Sequence, residues 1–151
     1  MTSTVLAAEG ARSLTFTRRF SHPPARLMRA HLDPEAVRRW IGSEAHPMTG
    51  CQIDGRAGGS FRYDWTGENG FSASGTFEEI TARRIVHVER FDPDWTGGEA
   101  RVITDFDSDG AGGTVLRVQV IYSSPEARES VGASGMAEGM EGAFNRLEAL
   151  L

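Results

Sequence analysis

TVLRVQVIYSSPEARESVGASGMAEGMEGAFNRLEALL, residues 114 to 151, holds both halves of the fold. In its first nine residues Thr114, Leu116, Val118, Val120 and Tyr122 share one side and Arg117 and Gln119 the other, the period of two of a strand with one buried face. Ser123, Ser124 and Pro125 then supply a cap and a first-turn proline, which open a helix. A break is expected near Gly132. Beyond it, Met136, Met140, Phe144, Leu147 and Leu151 recur at spacings of three and four, one apolar stripe along a helix. A sheet with an apolar face and a helix with an apolar stripe bury each other.

Upstream the chain is a string of short strands, near 49–54, 59–65, 71–80, 84–91 and 100–107, separated by GRAGG, TGENG, DPDWTGG and DSDGAGG. Loops this short make the strands antiparallel. Further back, Leu14, Phe16 and Phe20 alternate with Thr15, Thr17 and Arg19 as a first strand. Pro23 and Pro24 open a short helix carrying Leu27, Met28 and His31. Asp33 and Pro34 cap and start a second, with Val37, Trp40 and Ile41 before Gly42. The expected fold class is α+β: a curved antiparallel β-sheet wrapped around a long C-terminal helix, with two short helices after the first strand. Residues 1–12 read as a flexible tail and 13–151 as one domain.

Composition narrows the function classes. The chain has 151 residues, enough to bury roughly 70% of its unfolded surface. All sixteen basic residues are Arg, and against twenty-one Asp and Glu they leave a net charge of −5, the wrong sign for a nucleic-acid binder. Seven of the Arg lie within residues 12–39, where outer faces of a strand and two helices are the expected place for them. Cys51 is alone, so neither an intrachain disulfide nor a thiolate zinc site is available. No apolar run nears the roughly 18 residues of a membrane span, and the opening MTSTVLAAEGARS does not read as a signal peptide. The cytoplasm is the expected compartment.

Motifs of the kinds that carry chemistry resolve mostly into turns. DFDSDG (Asp105 to Gly110) starts like a calcium loop, but Leu116 stands where a bidentate Glu is needed, so a hairpin turn is expected. GRAGG (Gly55 to Gly59) and GAGGT (Gly110 to Thr114) lack the strand-to-helix context of a phosphate loop. The four histidines have no metal-ligand spacing, and no metal or cofactor is expected. His31 and His87 are weak catalytic candidates: His31 points from the first helix towards the sheet, and His87 sits mid-strand in RIVHVERF with its direction open. Asp64, Glu78, Glu79, Glu89 and Arg90 offer charges to a cavity but read as solvated strand faces. Cys51 reads as a packing residue.

Two registers are open for the hairpin around TGENG. An Asn69-Gly70 turn pairs Glu68 with Phe71; a five-residue loop pairs Trp65 with Phe71 and sets Phe61 over Gly75. The second is preferred, because it gathers Phe61, Tyr63, Trp65, Phe71 and Phe77 on one face and bulk opposite Gly. Gly135, Gly139 and Gly142 read as lying inside a helix, each costing roughly 0.5–1 kcal/mol relative to Ala, which close packing or room for a ligand would offset.

DPEAVRRW (Asp33 to Trp40), QIDGRAGGSFRY (Gln52 to Tyr63), GTFEEI (Gly75 to Ile80), RIVHVERF (Arg84 to Phe91) and GGTVLRV (Gly112 to Val118) resemble, in order and spacing, the family similar to the C-terminal domain of the heat-shock protein 90 ATPase activator. That family belongs to the START-like, or SRPBCC, superfamily of helix-grip folds, which includes polyketide cyclases. The chain departs from it at Leu32, where Thr is frequent, and at Met136, where Trp is frequent. The resemblance implies a deep cavity between sheet and terminal helix. The expected function is binding of a small, largely apolar molecule, aromatic or lipid-like, without catalysis. Its borders would be Phe61, Tyr63, Trp65, Leu116, Val118 and Tyr122 on the strands and Trp40, Met136, Met140 and Phe144 on the helices. A cyclase- or dehydratase-like enzyme and a chaperone-interaction module are the alternatives. A homodimer is a further expected partner state; nucleic acid and membrane insertion are not expected.

Overall fold

Alternating apolar residues drive most of the strands, and first-turn prolines open three of the four helices. The computed structural model describes residues 4–66 and 70–151. In chain order the elements are β1 (Val5–Glu9), β2 (Ser13–Phe20), α1 (Pro24–Leu32), α2 (Pro34–Trp40), β3 (Met48–Ile53), β4 (Ser60–Trp65), β5 (Phe71–Ile80), β6 (Arg84–Asp92), β7 (Ala100–Ser108), β8 (Thr114–Ile121), α3 (Pro125–Gly132) and α4 (Met136–Leu150). The strands form one antiparallel sheet in the order β1-β2-β8-β7-β6-β5-β4-β3. It curves around α4 without closing. This is the α+β helix-grip architecture that the terminal strand and helix imply.

Every second residue of β8, Thr114, Leu116, Val118 and Val120, is buried. These side chains, with Phe16, Phe20 and Phe106 from neighbouring strands, meet Phe144 and Leu147 of α4 in the main core. α2 lies against α4 and β3, α1 against β7, and α3 against β2. A second cluster, Val37, Met48, Cys51, Trp65 and Ala73, fills the β3–β4 end. Cys51 packs there, and burial pushes its thiol up to about 11.

Three local expectations meet a different structure, and a fourth holds. The segment read as a tail carries β1, an edge strand paired with β2 from Val5↔Thr17 to Glu9↔Ser13 and tied by an Arg117–Glu9 ion pair at 3.0 Å. The two short helices therefore follow the second strand. Arg18 does not face outward: it shares the inward parity of Phe16 and Phe20, is 4% exposed, and donates to Asn145 Oδ1 at 2.8 Å. Gly135 is not inside a helix but caps α4 with φ +83°, a left-handed conformation that an L side chain resists. DFDSDG behaves as the expected turn, with Asp109 accepting from the amides of Ala111 and Gly113 at 2.7 and 2.9 Å.

The β4–β5 register is the preferred one: Trp65 pairs with Phe71 and Phe61 with Gly75. Residues 67–69 of the connecting loop, including Glu68 and Asn69, lie outside the described residues. A bulge between Phe77 and Glu79 then shifts β5 against β6 and sets His87 opposite Phe77. Val86 is buried as well as Ile85, which is why alternation alone left the direction of His87 open.

Candidate functional site

α4 crosses the sheet without filling the concavity beneath it. Between them lies a space of about 300 Å³. Eight of the ten border residues expected from the sequence line it: Trp40, Phe61, Tyr63, Trp65, Val118, Met136, Met140 and Phe144. Leu116 and Tyr122 do not, although both are buried and share the inward face of Val118. Four same-face residues span about 20 Å of strand, and the space is lined by the middle two, Val118 and Val120. Leu116 falls at the filled end beside Phe106, its β7 partner. Tyr122 lies beyond the end of β8 and donates to Met136 Sδ at 3.5 Å.

The walls are mostly aromatic, and their order follows from packing. Phe61 leans on Tyr63 and Phe77 with ring centroids 5.0 and 5.4 Å apart. Tyr63 meets Trp65 edge-on at 5.9 Å. Trp40 is fixed twice, its indole Nε1 donating to Ala30 O at 2.9 Å and its carbonyl accepting from Arg146 Nε at 3.0 Å. Ala73 lines the space, as its small side chain suggests, but Gly75 does not: a Cβ there would sit 2.9 Å from Phe61 Cε1, so the ring occupies that room. Gly139 resolves the other way. A Cβ built on it meets nothing within 4 Å, and the residue lines the space.

Both candidate histidines face inward. His31 packs tilted against Trp40 and edge-on to Phe106, with ring centroids 4.8 and 4.9 Å away, and its Nδ1 lies 2.8 Å from Leu27 O. A carbonyl only accepts, so Nδ1 carries the proton and Nε2 is an acceptor. Burial, aided by nearby His87 and opposed by that hydrogen bond, lowers its pKa to about 4. His87 lies edge-on to Phe61 at 5.2 Å, and its Nε2 donates to Glu89 Oε1 at 2.9 Å. Its Nδ1 is enclosed without a partner among the described residues. Burial also raises the Tyr63 phenol, with Cys51 and Glu89 adding to the effect.

The strand pattern predicts a solvated face for Glu89, yet Glu89 lines the space with His87, two residues away on the same strand side. Settling the direction of either settles both. Thr104 and Arg146 also line it and were missed. Helical spacing carried the signal for Arg146, which follows Gly139 by seven residues and Ala143 by three; Thr104 shares the parity of Val102 and Phe106.

Sheet, helix and enclosed space together define a START-like helix-grip domain. The chain belongs to the family described as Activator of Hsp90 ATPase homolog 1-like protein, whose model matches residues 21–151. It is similar to a crystal structure of a Rhodobacter sphaeroides protein, with 32% identity, 98% of this chain and 97% of that one covered, and a TM-score of 0.91. Protein Ms6760 from Mycobacterium smegmatis is similar at 25% identity over 99% and 96% of the two chains, with a TM-score of 0.88. A Chromobacterium violaceum protein, at 24% identity over 93% and 97% and a TM-score of 0.76, shares the fold. Among curated proteins none matches. Among the described residues no helix is long and apolar enough to cross a membrane.

Proposed function

We propose that the protein binds a small, largely apolar molecule, aromatic or lipid-like, in the space between the sheet and α4. The observation that carries this reading is the unfilled volume of about 300 Å³ walled by aromatic rings. Interiors normally pack without voids much larger than a water molecule, and this volume lies at the lower end of the range for ligand pockets. The driving force is burial of apolar surface, on the order of 5 kcal/mol for about 200 Å² before the costs of association. Met136 and Met140 border the space with flexible, polarisable side chains that adapt to a guest's outline.

Native mass spectrometry and solvent extraction of the purified protein, followed by a thermal-shift screen of apolar compounds, test this. A binder at about one hundred times its Kd adds about 2.7 kcal/mol, which for a domain of this size raises Tm by about 5–10 °C. A screen in which no compound copurifies, binds or stabilises contradicts the reading.

A second reading, an enzyme of the cyclase or dehydratase kind, is favoured by the His87–Glu89 pair, whose 2.9 Å contact has the geometry of a general base and its orienting group. Turnover that His87→Ala abolishes while guest binding survives would support it over simple binding.

A further inference from the structure

The polar atoms that line the space are chosen in a way that selects among apolar guests. His31 donates through Nδ1 to Leu27 O at 2.8 Å, which leaves Nε2 as a lone-pair acceptor. Its enclosure keeps the ring neutral down to about pH 4. Among the described residues no donor reaches that Nε2. Glu89 receives a hydrogen bond from His87 at one carboxylate oxygen, 2.9 Å away. A carboxylate in an apolar wall is costly until its lone pairs are met. Tyr63 and Thr104 also line the space, and a hydroxyl rotates to donate or accept, so they impose no choice. Glu89 and Arg146 contribute one charge of each sign to the same walls. That balance suits a neutral guest better than an ion.

We infer that the guest is a neutral, largely apolar molecule bearing a hydroxyl donor, a phenol or an alcohol, and that Glu89 is the specificity-determining residue that accepts its O–H, with His31 Nε2 as a second acceptor. The inference rests on the reading of the space as a guest site. A carboxylate acceptor makes a stronger hydrogen bond than a neutral one, and a site built to receive a hydroxyl rejects the analogue that lacks it, because its own acceptor is left unmet.

The test is a fluorescence titration of the full chain with four compounds of nearly equal size: 2-naphthol, which donates and accepts; 2-methoxynaphthalene, which only accepts; naphthalene; and the cation of 1-naphthylmethylamine. The expected result is that 2-naphthol binds at least about tenfold tighter than the ether and the hydrocarbon, a difference of about 1.4 kcal/mol. In Glu89→Leu that preference falls to within about twofold, while naphthalene binds as well as before or better. Equal binding of naphthol and ether, tighter binding of the cation, or a preference that survives in Glu89→Leu overturns the inference. The comparison in the unsubstituted protein stands by itself if the variant does not fold. Naphthalene binding without discrimination defeats this inference alone, whereas failure of all four compounds to bind defeats the guest site as well.

Discussion

Gly75 shows how one residue holds the aromatic wall in place. A Cβ there would lie 2.9 Å from Phe61 Cε1 and closer still to the carbonyl oxygen of Val88, which is backbone and cannot swing away. Gly75→Ala is therefore expected to destabilise by about 1–3 kcal/mol, the usual range for overpacking, and to lower Tm by about 2–12 °C in thermal unfolding. An unchanged Tm would mean that β4 and β5 are less tightly coiled than described. His31 sets a pH dependence at the same scale. In the unfolded chain it takes a proton near pH 6.5, in the folded one only near 4. Between those values the unfolded state binds more protons, so stability falls as pH drops through that window, by at most about 3 kcal/mol. Urea unfolding of the protein and of His31→Phe at pH 7 and pH 4.5 isolates the effect from the carboxylates, which titrate in both. The variant is expected to lose distinctly less stability on acidification, and equal losses would contradict the placement of His31.

At the scale of elements, the helix boundaries were readable because caps and prolines act locally. Ser124 accepts from the Ala127 amide at 3.0 Å at the start of α3, and Asp33 accepts from Glu35 N at 3.1 Å at the start of α2. Ser124→Ala is expected to cost about 0.5–2 kcal/mol, seen as a Tm lower by about 1–8 °C, with no change in guest binding because α3 lies outside the site. β1 was not readable for the opposite reason. VLAAE does not alternate, and an edge strand is held by its backbone ladder to β2 and by the Arg117–Glu9 pair, neither of which leaves a pattern in five residues. The β4–β5 register was readable, since bulk opposite glycine favoured one pairing. His87 and Glu89 were not, because the bulge beyond Phe77 and the burial of both Ile85 and Val86 erase the period of two. Arg18 hid in plain alternation: an inward arginine is tolerated because Asn145 and the Phe20 ring receive it, and both contacts are tertiary.

For the molecule as a whole, the sheet and α4 share one core that is solid at the Phe106, Leu116 and Leu147 end and open at the Met136, Met140 and Gly139 end. On the proposed reading, a guest at the open end would leave the solid end undisturbed, and the fold would form without it. The four methionines among the described residues report on this division. Met136 and Met140 line the space, whereas Met48 belongs to the cluster behind Trp65 and Met28 packs on α1 at the main core. The most direct measurement is a titration of protein labelled with ¹³C at the methionine ε-methyls with an apolar aromatic guest, followed by NMR. The account predicts that the Met136 and Met140 resonances shift, saturate together and show nuclear Overhauser contacts to the guest, while those of Met28 and Met48 stay in place. Shifts absent from Met136 and Met140 at guest concentrations that reach saturation, or spread equally over all four, would contradict it.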